Sequence, residues 1–215
     1  MEKDRKVKAL AIVALVIAVV GLTVAFAAMS QVLVINGTAT IEHVDWDIHF
    51  ENLVNPVPAA DITGTAEIAT GGMPTIQAGP AEYGSKPNTA IGDYSVILKK
   101  PGDSVTFTFD VVNNGDIDAD LGTFTLPTPT CNATETATAE ADNAICQANI
   151  VYTLKYSDGT TVKTGDALDK KSGNTATRRT MKLTIGYKED AEELPTNDVP
   201  INGMGFTLPY NQRAN

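Results

Sequence analysis

An alternation of apolar and polar residues with a period of two constrains the fold of this chain most. Between positions 44 and 51 the even residues are apolar and the odd ones polar. Such alternation predicts a strand with one buried and one solvated face. The same pattern predicts strands at residues 105–111, 150–156, 181–187 and 204–210, and shorter ones at 62–69 and 75–78. No stretch beyond Ser30 shows a helical stripe, and residues 132–144 are predicted to form an exposed loop.

Turn signals separate these strands and favour one all-β domain. Asn113-Asn114-Gly115 and Ser157-Asp158-Gly159 each follow a predicted strand and are typical of turns. Short strands divided by such turns predict a β-sandwich of the jelly-roll or Ig-like kind. We expect residues 38–215 to form the sandwich, residues 28–37 to form an N-terminal strand segment, and residues 1–27 to form an apolar signal or anchor helix.

The N-terminal segment has the features of an export signal. Four basic residues lie among the first eight positions, and residues 9–28 are uncharged and mostly apolar. About 20 such residues can cross a membrane as a helix, and the basic flank predicts that the rest of the chain lies outside the cytoplasm. Ala25-Phe26-Ala27 fits a signal peptidase site, with cleavage before Ala28. The length of residues 9–28 also permits an uncleaved anchor, so both outcomes stay open.

The charge of the exported part excludes some classes of partner. The whole chain has 16 basic and 26 acidic residues; removing residues 1–27 leaves 12 and 24, a net charge of −12. Nucleic acid and anionic membrane surfaces require clustered Lys and Arg. We therefore expect no nucleic acid partner, and contact with a membrane only through residues 9–28 before processing.

Cys131 and Cys146 are the only cysteines, and both lie in the exported part. An oxidising environment allows them to pair, and closing this loop stabilises a fold by about 3 kcal/mol. The alternative is a metal or redox pair. Their separation differs from C-x-x-C and no histidine lies nearby, so the sequence favours a structural disulfide.

Residues 31–35 differ from every other predicted strand because both faces are apolar. The segment consists of Gln31, Val32, Leu33, Val34 and Ile35. A strand that is apolar on both sides is normally buried on both sides. Three interpretations compete: a central strand of its own domain, the end of the membrane helix, or a donor strand that inserts into the next subunit. Donor-strand contacts are head-to-tail and do not close, so they produce a filament.

One stretch resembles a known family. Residues 96–121 read VILKKPGDSVTFTFDVVNNGDIDADL, in which a Pro-Gly-Asp turn, an alternating strand, an Asn-x-Gly turn and a small-residue strand follow one another. This order resembles the TasA/camelysin-like family of secreted biofilm-matrix fibre subunits. The N-terminal layout is similar too, with a long apolar signal, a short strand and then INGTATIEHVDWDIHF.

The resemblance implies a secreted jelly-roll domain that assembles with other copies of itself into extracellular filaments. It favours the donor-strand interpretation of residues 31–35, extended to Met29. The partners would be the next subunit and, during export, signal peptidase. The alternatives are a membrane-anchored monomeric module that binds a surface, and a pilin-like subunit that keeps its apolar helix.

Camelysin-like proteins are associated with metalloprotease activity, but this sequence predicts no catalytic residue and no cofactor. A zinc protease typically has two histidines on one helix face, as in H-E-x-x-H. The chain has only His43 and His49, which six residues of strand would separate by roughly 20 Å. Neither is expected to bind metal.

Three alternating aspartates form a weak candidate for a calcium site. Asp116, Asp118 and Asp120 match the first half of an EF-hand loop. Leu121 and Pro127 stand where that loop has its Gly and its final Glu. Strand alternation explains the segment equally well, with the aspartates facing water.

Overall fold

The structure is a computed structural model that describes residues 2–29 and 44–213. The chain divides into two compact units, Met1–Glu42 and His43–Asn215. In the first unit the described element is one helix, α1 (Glu2–Met29). No helix within the described ranges is long and apolar enough to cross a membrane.

The second unit is built mainly from antiparallel strands, with one longer helix. In chain order its described elements are β1 (Ile48–Val54), β2 (Ile62–Thr63), β3 (Glu67–Ile68), β4 (Ile76–Gln77), a 3-10 turn (Ala81–Tyr83), β5 (Ala90–Ile91), β6 (Val96–Ile97), β7 (Ser104–Asn113), β8 (Ala119–Leu121), β9 (Thr130–Cys131), α2 (Ala139–Asn149), β10 (Ile150–Tyr156), β11 (Ala167–Leu168), β12 (Thr177–Tyr187), β13 (Ile201–Asn202) and β14 (Tyr210–Gln212). The prediction of an all-β fold is confirmed at this level.

The largest sheet has the order β1-β7-β12-β10, and β2 extends the β1 edge along β7. Its long strands have the predicted alternation. Val105, Phe107 and Phe109 of β7 point into the core, and Met181, Leu183 and Ile185 of β12 lie beside them. All six side chains are at most 5% exposed. The predicted strands at 105–111, 150–156 and 181–187 are therefore confirmed.

Smaller sheets cover the opposite side of the core. One has the order β11-β8-β14, and β13-β9, β3-β6 and β4-β5 are two-stranded. Ala119, Leu121 and Leu168 from the first of these pack in the same cluster as the long strands. The core thus lies between one large sheet and a set of short pieces.

The Pro-Gly-Asp turn before β7 anchors two loops through a buried carboxylate. Gly102 has φ +83°, a conformation that favours glycine, and Asp103 N–H donates to the Lys100 carbonyl at 3.2 Å. The Asp103 carboxylate is 0% exposed. It accepts hydrogen bonds from the backbone N–H groups of Thr65, Lys99 and Lys100 at 2.7–3.1 Å, and from the Thr65 hydroxyl.

The helix α2 corrects the prediction that residues 132–144 form only an exposed loop. Asp142 and Cys146 lie one helical turn apart and are both buried. Asp142 accepts hydrogen bonds from Thr138 Oγ1 at 2.8 Å and from the Thr196 backbone at 2.7 Å. Tertiary contacts of this kind stabilise a helix whose own apolar stripe is too weak to predict it.

Two strand boundaries also differ from the predictions. The strand predicted from position 44 begins at Ile48, because the carbonyls of Asp45 and Asp47 accept bonds from the loop that follows β7. Where the sequence predicts a strand over residues 204–210, the structure has only the short strand β14, from Tyr210 to Gln212. Side chains at residues 203–208 alternate between exposed and partly buried, but no ladder partner is present for residues 203–209 in the described chain.

Candidate functional site

Two segments are joined by strand pairs at both ends but form no ladder between those ends, and one segment is one residue longer than the other. Residues 122–129 connect β8 to β9, and residues 203–209 connect β13 to β14. At one end Tyr210 pairs with Leu121, and at the other Ile201 pairs with Cys131. Between these ends the described residues form no strand pairing. We call this region, residues 122–129 and 203–209, the open ladder.

One hydrogen bond lies just inside one end of the open ladder, and another lies beyond the β9–β13 pair at its other end. Gly122 N–H donates to the Pro209 carbonyl at 2.7 Å, and Asn132 N–H donates to the Pro200 carbonyl at 2.8 Å. Pro127, Pro129 and Pro209 lie within the segments, and proline has no N–H to offer to a ladder. The open ladder therefore has a defined length and reduced capacity to pair with itself.

The same tetrapeptide occurs on both sides of the open ladder. Phe124-Thr125-Leu126-Pro127 and Phe206-Thr207-Leu208-Pro209 have the same sequence. In both copies the Phe and Leu side chains pack against the core and are only partly buried, and the Thr is exposed. These Phe and Leu side chains form an apolar floor of the open ladder that is incompletely covered, and most of the backbone on both sides has no strand partner in the described chain.

Two tyrosines hold the floor of the open ladder in place. Tyr94 donates its hydroxyl to the Met204 carbonyl at 2.9 Å, and Tyr152 donates to the same carbonyl. The two hydroxyl oxygens are 2.7 Å apart, and the Tyr152 ring lies edge-on to Phe206. Burial raises the pKa of Tyr94 and Tyr152, so both stay protonated and keep these bonds near neutral pH.

The disulfide fixes the other end of the open ladder. Cys131 and Cys146 are bonded, as predicted from the sequence, and join β9 to α2. Beside them Gln147 donates its side-chain N–H to the Pro129 carbonyl at 2.8 Å and accepts the Cys131 N–H at 3.3 Å. The disulfide and the contacts with α2 thus hold β9, the strand next to the open ladder, in place.

The proposed donor segment lies almost entirely outside the described residues. Met29 is the last residue of α1. Gln31, Val32, Leu33, Val34 and Ile35 fall in the range 30–43, which the structure does not describe. Their role as a donor strand stays a prediction.

The three aspartates of the weak calcium candidate are held by separate partners. Asp116 pairs with Lys171 Nζ at 3.1 Å, Asp118 accepts the Lys170 backbone N–H at 2.8 Å, and Asp120 pairs with Arg213 Nε at 2.7 Å. The Lys171 ammonium lowers the pKa of Asp116. No group of three or more His, Cys, Asp or Glu within residues 2–29 and 44–213 is arranged to hold a metal ion.

His49 lies between two carboxylates on the outer face of β1, and His43 lies outside the described residues. The His49 ring nitrogens are 2.8 Å from Asp47 Oδ1 and 3.1 Å from Glu51 Oε1. Burial lowers the pKa of His49, but the hydrogen bonds to Glu51 and Asp47 outweigh it and raise the pKa above 6.5. Protonated His49 thus stabilises the fold below pH 6.5, and this contribution is lost as the pH rises through the raised pKa.

We expect an NMR titration to give His49 a pKa above 6.5. Glu51→Gln should lower that pKa, because it replaces one of the two carboxylates with a neutral group. Glu67→Gln is the matched control, since Glu67 pairs with Lys99 elsewhere, and it should leave the value unchanged. A His49 pKa at or below 6.5 in the parent protein would contradict the geometry.

Sequence reasoning missed the open ladder and the buried polar groups Asp103, Asn113 and Asp142. Asn113 donates to the carbonyls of Ile117 and Leu168 at 2.9 and 3.2 Å, which fixes the loop after β7. The repeated Phe-Thr-Leu-Pro tetrapeptide is the one sequence signal from which the open ladder could have been found.

The chain was compared with protein families, curated proteins and solved structures. No family model, no curated protein and no solved structure matches it.

Proposed function

We propose that this protein is a secreted structural subunit that polymerises head-to-tail into extracellular filaments. In this proposal residues 31–35 of one copy, extended to Met29, insert as a donor strand into the open ladder of the next copy. The observation that carries the proposal is the open ladder itself, in which two segments are joined by strand pairs at both ends and form no strand pairing between them. The proposal assigns no catalytic residue and no cofactor.

The dimensions of the open ladder suit a short strand. A strand rises about 3.3 Å per residue, so residues 31–35 would extend over roughly 17 Å. Residues 123–129 extend over roughly 23 Å at the same rise. A five-residue strand is therefore short enough to lie between the paired ends. Its insertion requires the two segments to separate by about one further strand spacing of 4.8 Å, and its backbone can then bond to N–H and C=O groups that the described chain leaves without a ladder partner.

The apolar character of the donor matches the floor of the open ladder. Phe124, Leu126, Met204, Phe206 and Leu208 are partly buried against the core. One face of the donor would complete the burial of these side chains. This burial would stabilise the contact between subunits by about 25 cal/mol per Å² of apolar surface removed from water. Val32 and Val34 lie on one face of the donor, and Leu33 and Ile35 lie on the other. The second face is left to contact the rest of the assembly.

Export belongs to the same proposal. The Cys131–Cys146 disulfide is typical of an oxidising, extracellular environment. We place the protein outside the cell or at its surface, after signal peptidase removes residues 1–27. The fold in this proposal is a jelly-roll sandwich, in which the donor strand of a neighbour completes the layer opposite the β1-β7-β12-β10 sheet.

A peptide competition experiment tests the proposal. A synthetic peptide of residues 29–37 would occupy the open ladder without offering one of its own. We therefore expect filaments seen by negative-stain microscopy to become shorter as the ratio of peptide to protein rises. The control is the same peptide carrying Leu33→Asp and Val34→Asp, which places a charge on each face. Filaments that stay unchanged at a large excess of the parent peptide would overturn the proposal.

A further inference from the structure

The outer face of the large sheet, which lies opposite the core side chains of β7, β12 and β10, is mostly polar. On this face, residues that pair across β7, β12 and β10 form rows. Neighbouring rows contain hydroxyl and ammonium groups. Thr106 and Thr153 flank Thr184 on either side in one row, and Thr108 and Lys155 flank Lys182 in the next. The Thr106 and Thr184 hydroxyls are 2.9 Å apart and bond to each other.

Two lysines on this face lie directly opposite each other. Lys155 of β10 pairs in register with Lys182 of β12, so their Cβ atoms are about 5 Å apart. Both side chains are exposed, and no carboxylate of the described chain pairs with either one. Like charges directly opposite each other destabilise a sheet. An arrangement with this cost, in a chain of net charge −10, points to an anionic partner.

An acidic turn on the same molecule offers the complementary charge. Residues 189–193 contain Glu189, Asp190, Glu192 and Glu193, all exposed and without an ion pair in the described chain. Tyr187 donates its hydroxyl to the Glu193 carbonyl at 3.0 Å, and Ala191 N–H donates to the Lys188 carbonyl. These two bonds hold the backbone of the turn, and its four acidic side chains are exposed to solvent.

The acidic turn and the lysine pair lie apart within one molecule. Tyr187 is five residues along β12 from Lys182, which corresponds to roughly 17 Å of strand. Because the two charged surfaces are distinct, one copy can present its lysine pair to the acidic turn of one neighbour and its own acidic turn to another, so the contact can be heterologous. At 0.15 M salt, the repulsion between acidic copies is screened at distances beyond about 8 Å. Ion pairs in direct contact are weakened less than this long-range repulsion.

We propose that Lys155 and Lys182 of one copy bind the acidic turn, residues 189–193, of a second copy. This contact is lateral and separate from the insertion of residues 31–35, so it goes beyond the polymerisation proposed above. It provides a means for subunits, or for filaments built from them, to associate side by side in a manner that depends on salt.

Sedimentation velocity of the full chain in a non-ionic detergent, with and without residues 31–35, tests this contact. The deletion removes the proposed head-to-tail contact, so the remaining self-association reports on the lateral one. We expect the double variant Lys155→Glu with Lys182→Glu to weaken self-association about tenfold, because two ion pairs of about 0.7 kcal/mol each are lost. Adding Glu192→Lys and Glu193→Lys to that variant should restore association by exchanging the charges.

The matched control is Lys86→Glu with Lys163→Glu, which changes the net charge equally at two exposed lysines that lie in loops outside β10 and β12. It should leave association close to that of the parent. Equal association in the Lys155/Lys182 variant and in this control would overturn the inference. A loss that the exchanged acidic turn does not restore would also overturn it, and would assign the lysines to another anionic partner. The deletion background keeps this result distinct from a failure of head-to-tail assembly.

Discussion

Deleting residues 31–35 is expected to abolish filaments. The deletion removes the only segment that we propose to pair with the unpaired backbone of the open ladder and to cover its half-buried Phe and Leu side chains. Both the ladder hydrogen bonds and the apolar contacts between subunits depend on it. Negative-stain microscopy of the exported protein measures the result directly, as the number and length of filaments per field at equal protein concentration.

Single substitutions test whether filaments depend on the apolar side chains of the donor segment, without shortening the chain. Leu33→Asp should prevent filaments, because a carboxylate buried without a partner costs several kcal/mol. Leu33→Ile is the matched control, since it keeps the volume and the apolar character, and it should retain filaments. Normal fibres from the deletion variant would end the donor-strand proposal. Normal fibres from Leu33→Asp alone would place Leu33 outside any buried contact.

Replacing Asp103 with alanine is expected to lower the free energy of unfolding by about 4 kcal/mol. The Asp103 carboxylate accepts hydrogen bonds from the backbone of Thr65, Lys99 and Lys100. Removing it leaves these donors without their acceptor, at a cost of roughly 1–3 kcal/mol for each one that stays buried. Gly64 approaches so closely that an added Cβ would lie 2.2 Å from Asp103 Oδ1, so the surrounding loops are shaped around the carboxylate.

Chemical denaturation as a function of pH measures this contribution. Burial raises the pKa of Asp103, but the hydrogen bonds from Thr65, Lys99 and Lys100 outweigh it and hold the pKa below 3.8. The stabilisation is therefore present above pH 3.8 and is lost as the pH falls through the lower folded pKa. Asp93→Ala, at an exposed position, is the control and should change stability by less than about 0.5 kcal/mol. An Asp103→Ala variant as stable as this control at neutral pH would refute the role of Asp103.

The strands of the large sheet were predictable because their alternation is long and regular. β7 and β12 bury side chains at every second position over part of their length, and β10 does so at Leu154 and Tyr156, so the alternation identifies the face that each strand turns to the core. The disulfide was predictable for a similar reason, since the chain has no other cysteine for either partner. These features depend on residues that are close together in the sequence or unique within it.

Helix α2 and the open ladder were not predictable from local patterns. α2 depends on hydrogen bonds from Thr196 and Asn197, more than fifty residues away. Residues 204–209 alternate as a strand should, but whether such a segment is paired depends on what lies beside it in the fold. Their relation to residues 122–129 is a matter of tertiary structure, and only the repeated tetrapeptide indicates it in the sequence.

The prolines of the open ladder have a consequence for solubility. An edge with a full row of free N–H groups attracts any extended chain and promotes aggregation. Pro127, Pro129 and Pro209 remove three of those donors. The two segments of the open ladder therefore cannot pair along their whole length with each other or with an unrelated strand. In the donor-strand proposal, a subunit whose open ladder is unfilled would thus remain dispersed until a strand of suitable length and register reaches it.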